Sequence, residues 1–111
     1  MVELGGKGNI QSIQQALESR NIRTHDWNFP SVSEYTTLWE LHGVEVQFAR
    51  LYDRPTLLPE GIDSWIQMFV GKIDPDVLET VVADLQRTLF DGTNWTADYR
   101  RLCISGRKRS V

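Results

Sequence analysis

Residues 3–13, Glu3-Leu4-Gly5-Gly6-Lys7-Gly8-Asn9-Ile10-Gln11-Ser12-Ile13, place a short apolar run, three glycines and a helix-like pattern in immediate succession. The reading of this stretch decides the fold, because glycines between a strand and a helix are also how phosphate-cradling loops look. A Walker loop ends in Gly-Lys-Ser/Thr, whereas Lys7 is followed by Gly8 and Asn9, with no hydroxyl to hold magnesium. A dinucleotide fingerprint needs G-x-G-x-x-G and an acidic residue about twenty positions on, and Gly5, Gly6 and Gly8 lack that spacing. Two readings stay open: a strand-to-helix turn in which glycine supplies positive φ, or anion binding at the helix N-terminus.

Outward from the glycines, residues 2–4 read as the stub of a strand, and Asn9 as the cap of a helix carrying Ile10, Ile13 and Leu17 at helical spacing. Residues 24–30 form a polar and aromatic loop. Ser31-Val32-Ser33-Glu34 is a capping box, and it opens a helix with Tyr35, Leu38 and Trp39 on one face and Gly43 as its stop. Residues 44–52 then set Val44, Val46 and Phe48 on one side and Ala49 and Leu51 on the other, the pattern of a strand covered on both faces and internal to a sheet or covered by helices. Pro55 and Pro59 make residues 53–61 irregular, and a short helix over 63–70 follows. Asp74 caps the next helix, with Pro75 at its first position and Leu78, Val81, Val82, Leu85 and Leu89 as its stripe, ending near Phe90. After the turn chemistry of Asp91-Gly92-Thr93-Asn94, residues 95–105 read as one closing strand. The expected class is α/β, with about three strands, one of them a short stub, and four helices.

Composition narrows the function classes. The 111 residues, 41% apolar with four tryptophans, suit a single domain over 1–111 with a modest core. A net charge of −3 supplies no basic field of the kind that draws proteins to nucleic acid, and the cationic run Arg107-Lys108-Arg109 reads as a solvated tail. Nothing resembles a signal peptide and the apolar run 65–70 is too short to span a bilayer, so a soluble cytoplasmic protein without a membrane partner is expected. The single Cys103 in an alternating run reads as a packed thiol. His25 and His42 stand seventeen residues apart with no cysteine partner, giving no metal site, and His42 reads as a C-terminal helix residue favoured by the dipole.

Four runs carry a resemblance: "ELGGKGNIQSI" at 3–13, "WNFPSVSEYTTLWELHGVEVQFARLYDRPTLL" at 27–58, "GIDSWIQMF" at 61–69 and "WTADYRRLCISGRK" at 95–108. Together they resemble the carboxyl-terminal part of class I S-adenosylmethionine-dependent methyltransferases acting on small molecules, the group that includes trans-aconitate methyltransferases. The resemblance implies a truncated piece of a doubly wound Rossmann-like sheet, with residues 2–4 as the family's fifth strand and residues 95–105 lying between them and residues 44–52, antiparallel to the latter. It places the glycines after strand five and not in the cofactor loop. The acidic G-x-G segment of that loop, the acidic residue for the ribose and the segment after strand four have no counterpart in these 111 residues. No cofactor is therefore expected for the chain alone, with S-adenosylmethionine the cofactor of the full-length family.

Met1 falls where strand five would be running, which implies a start inside an ancestral gene, a split gene or a cut piece. On the substrate side the resemblance points to Trp27, Phe29 and Tyr35, which equally read as core and staple packing around Ser31. Asp53 and Arg54 read as a pocket rim or as a turn former and surface ion pair. No nucleophile has a base beside it, so no catalytic residue is assigned. Three classes follow: a methyltransferase-derived domain inactive alone, one half of a split methyltransferase completed by a separately encoded N-terminal half, and a stand-alone interaction or small-molecule-binding module. A homodimer through the edge of residues 2–4 or the helix starting at Ile10 is expected, since both would have lost their cover.

Overall fold

The computed structural model describes residues 1–24 and 27–109. His25, on which part of the metal reading rests, lies outside the described residues. The order of elements is β1 (Val2–Gly5), α1 (Gln11–Glu18), α2 (Val32–Leu41), β2 (Val44–Asp53), β3 (Thr56–Leu58), α3 (Gly61–Val70), α4 (Pro75–Leu89), β4 (Trp95–Ala97) and β5 (Arg100–Lys108). Among the described residues the protein is a mixed α/β structure with four helices and antiparallel sheets of three and two strands. Its contacts group into two compact units, one of residues 1–9, 27–54 and 99–111, the other of residues 10–26 and 55–98.

The first unit holds the three-stranded sheet, ordered β1-β5-β2, with β5 antiparallel to both neighbours. That is the order expected of these strands, and the antiparallel pairing of β5 with β2 is the direction expected of that pair. Val2 stands opposite Ile104 and Leu4 opposite Leu102, while Leu51 and Ala49 face Leu102 and Ile104 from the other side. Directly opposed residues share a face of a sheet. One face therefore carries Val2, Leu4, Leu102, Ile104, Ala49 and Leu51, and the other carries Glu3, Cys103, Arg50, Arg101 and Tyr52.

The register shifts between Val46, opposite Gly106, and Phe48, opposite Ser105, leaving Gln47 as a bulge. The extra residue reverses the alternation, so Val44 and Val46 join Ala49 and Leu51 on the apolar face and Phe48 turns to the other, where it is half exposed. The two-sided pattern read from residues 44–52 is thus a one-sided pattern interrupted by a bulge. β2 is an edge strand, not an internal one, with α2 packed against it. The Trp39 ring comes close to Gly106 on the apolar face, which places α2 on that side.

α2 begins as its sequence requires. The Ser31 hydroxyl accepts from the Glu34 N–H at 3.1 Å and the Glu34 carboxylate accepts from the Ser31 N–H at 3.0 Å. Gly43 follows the helix with φ 81°, where a side chain would be strained. The cationic run is exposed, as read, but it is part of the sheet: β5 continues to Lys108, the Arg109 N–H donates to the Gly43 carbonyl at 2.9 Å, and Arg109 pairs with Glu40 at 3.7 Å.

In the second unit α1 packs on α4, and Ile13, Leu17, Val81 and Leu85 are buried. The stripe on α1 therefore has its cover, and the expectation that this helix has lost it is overturned. Asn9 does not cap α1 either. The N-cap is Ile10, in the left-handed conformation at φ 46°, and the capping acceptor is Asp98, whose Oδ2 takes the Ser12 N–H at 2.9 Å. α4 starts as expected, with the Asp74 carboxylate accepting from the Asp76 N–H and Pro75 in the first turn.

Residues 95–105 are two strands, not one. β4 pairs with β3, a strand absent from the sequence reading, and the chain breaks at Asp98-Tyr99 before β5 joins the other sheet. α3, starting two residues earlier than expected, packs on β3 and β4 and buries Ile62, Trp65 and Ile66.

Candidate functional site

β1 and β2 both run antiparallel to β5, so the carboxyl ends of β1 and β2 and the amino end of β5 meet at one end of the sheet. In open, mostly parallel α/β sheets ligands bind beyond the carboxyl ends of the strands, whereas the pairings of this sheet are antiparallel. Gly5 stands opposite Arg101 and Asp53 opposite Arg100. Beyond them the Gly6 N–H donates to the Arg100 carbonyl at 3.0 Å and the Arg54 N–H to the Tyr99 carbonyl at 2.8 Å, extending the pairing on both sides.

Arg100 ties this end together. Its N–H donates to the Oδ1 of buried Asn9, its Nε to Asp53 Oδ1 at 3.0 Å and its Nη1 to the Lys7 carbonyl at 3.2 Å. The side chain read as a helix cap is instead spent on the first residue of β5, 91 positions away.

The glycine turn now answers the question that its sequence raised. Its Gly6 N–H is used by Arg100, its Lys7 N–H donates to the Pro30 carbonyl at 2.9 Å, and its Asn9 N–H donates to the Gly6 carbonyl at 2.9 Å. Gly8, at φ 89°, supplies the positive φ. At the start of α1 the Ile10 N–H donates to the Asp98 carbonyl and the Ser12 N–H to the Asp98 carboxylate. The anion at this helix terminus is the protein's own, and the turn is not a phosphate cradle.

Strand alternation separates the expected pair Asp53 and Arg54. Asp53 pairs with Arg100, whereas Arg54 Nη1 donates to Glu3 Oε1 at 3.0 Å on the other face. Arg101 Nε also donates to Glu3 Oε1, at 3.2 Å. Arg101, with further help from the Tyr52 hydroxyl and the charge of Arg54, holds the Glu3 carboxyl below its ordinary pKa. Arg50 lies over the Tyr52 ring, 5.0 Å from its centre.

Phe29 lies against the backbone of Gly5, where a Cβ would sit 2.9 Å from its ring carbons, and so falls on the same side as Glu3 and Arg54. Trp27, half-buried, stands two residues before Phe29 in the same loop. Tyr35 is elsewhere: with Leu38, Trp39, His42 and Val44 it lines an open apolar groove of about 320 Å³ on α2, its ring 6.1 Å from that of Trp39. The sheet end thus gathers Phe29, Asp53 and Arg54 and leaves Tyr35 out. Glu3, Asn9, Arg100 and Arg101 belong to it and escaped the sequence reading, because each acts through a partner more than forty residues away.

At this end three guanidinium groups, Arg54 and Arg101 on Glu3 and Arg100 on Asp53, stand in hydrogen-bonded ion pairs near the Phe29 ring. Among the described residues no three His, Cys, Asp or Glu side chains gather as a metal set. His42 instead ends α2, with a ring nitrogen 2.8 Å from the Leu38 carbonyl oxygen. No helix is long and apolar enough to cross a membrane among the described residues. No protein-family model matches the chain, and no curated protein matches its sequence.

Proposed function

We infer that this chain is the substrate-side part of a methyltransferase-like α/β domain: it binds a small molecule at the carboxyl ends of β1 and β2 and does not transfer a methyl group with these 111 residues alone. The observation that supports this reading is the position of β5 between β1 and β2, antiparallel to both, with the glycine turn leaving β1 at the ligand end. It is the arrangement that the resemblance implies for strands five, seven and six. Phe29 would lie along the bound molecule, and Arg54 and Arg101, on the same face of the sheet, would orient its polar groups. S-adenosylmethionine would sit against parallel strand ends that this sequence does not contain, wherever those strands are encoded.

Isothermal titration of the chain with S-adenosylmethionine tests the inference. Binding no tighter than about millimolar, equivalent to about 4 kcal/mol, is expected. A micromolar dissociation constant would show that the cofactor site lies within these residues. The exposed apolar groove on α2 favours a second reading, in which the domain also serves as an interaction module.

A further inference from the structure

The geometry points to the groove on α2 as a docking site for an acidic amphipathic segment of another protein. Its floor is the stripe Tyr35, Leu38, Trp39 and His42, at the i, i+3, i+4 and i+7 spacing of a single helix face, closed on one side by Val44 of β2. Leu38 is 50% exposed and Leu41, one turn further on, 75%. Apolar surface left in water at such spacing is how helix-binding grooves look.

The charge at its rim selects the occupant. Lys108 stands directly opposite Val44, hence on the groove's side of the sheet, and Arg109 is fastened to Gly43 at the end of α2. Glu40 pairs with Arg109 at 3.7 Å. The unit to which the groove belongs carries eight lysines and arginines against five aspartates and glutamates, although the whole chain is acidic. A segment presenting leucines to the floor and carboxylates to Lys108 and Arg109 therefore fits both the apolar and the cationic parts, and a basic segment meets repulsion. The Arg107-Lys108-Arg109 run acquires a role in this way that a solvated tail would not have.

The test is fluorescence anisotropy of the full chain against two labelled synthetic helical peptides. Both carry leucine at i, i+3, i+4 and i+7, one with glutamate and the other with lysine at the remaining exposed positions. The expected result is saturable binding of the acidic peptide, at least tenfold tighter than the basic one and weakened several-fold between low and physiological salt. Leu38→Glu and Lys108→Glu, both at exposed positions, should each weaken it at least tenfold, and Lys72→Glu, in the other unit, should not. Circular dichroism of each variant establishes that the fold is retained. No binding up to millimolar peptide, equal binding of the two peptides, or variants that bind like the parent would overturn the proposal. So would a concentration-dependent dimer abolished by Leu38→Glu, which would assign the groove to a second copy.

Discussion

The Asp98 carboxylate caps α1 from 86 residues beyond its donor: its Oδ2 accepts the Ser12 N–H at 2.9 Å, in the place that the sequence had offered to Asn9. Asn9 is meanwhile buried and accepts the Arg100 N–H. The two side chains hold different units and should fail differently. Asp98→Ala removes a cap and should cost about 1 kcal/mol, read by urea denaturation. Asn9→Ala leaves the part-buried N–H at the head of β5 without this acceptor and should cost about 1–3 kcal/mol. Amide exchange separates them: Asp98→Ala should speed exchange in α1, and Asn9→Ala at the Arg100 end of β5.

Two glycines in the sheet differ in what surrounds them. A Cβ on Gly106 would stand 2.6 Å from the Glu45 carbonyl oxygen and 3.2 Å from the Trp39 ring, so β2 itself would have to move. A Cβ on Gly6 would run into a methyl of Leu51, the far end of a side chain that can turn aside, with Leu102 Cβ next at 3.1 Å. Overpacking costs about 1–3 kcal/mol. Gly106→Ala should fall at the upper end and Gly6→Ala at the lower, in thermal or chemical denaturation. The reverse order would mean that α2 does not press on this part of the sheet.

The main sheet and the helices were largely legible because their causes are local. The capping box at Ser31, the Asp74-Pro75 start of α4 and the glycine stop at Gly43 lie within four residues of what they control. The bulge at Gln47 was not legible. One inserted residue converts a one-sided pattern into what reads as a two-sided one, and only the partner strand reveals the difference. β3 and the break at Asp98-Tyr99 were hidden for a related reason: a three-residue strand between prolines exists by virtue of its pairing with β4. At the candidate site, Asp53 and Arg54 stood out beside a proline, while Arg100 and Asn9 carry no local mark of the contacts that join them.

Acid should weaken the fold through three carboxylates. Glu3 is held below its ordinary pKa first by Arg101, Glu34 by the Ser31 N–H, and Asp91 by the Asn94 and Thr93 N–H groups. In each case the folded state binds fewer protons than the unfolded chain near the ordinary value, 4.5 for the glutamates and 3.8 for the aspartate. Their stabilisation is complete above those values and is lost as pH falls through the lower folded ones. The melting temperature should hold steady from about pH 7 to about pH 5 and then decline. Glu3→Gln should show a shallower decline, and an unchanged one would mean that its pairing with Arg101 contributes nothing to stability.

The central claim is that the carboxyl ends of β1 and β2 form the ligand end of a methyltransferase-like domain. Amide chemical shifts of the isotopically labelled chain, followed while small hydroxyl-, carboxylate- and amine-bearing methyl acceptors are added in turn, test it most directly. At least one acceptor should shift Gly5, Gly6, Asn9, Arg54 and Arg100 together and saturably, with S-adenosylmethionine leaving them in place. Saturable shifts confined to other parts of the chain, or none with any acceptor, would contradict the account.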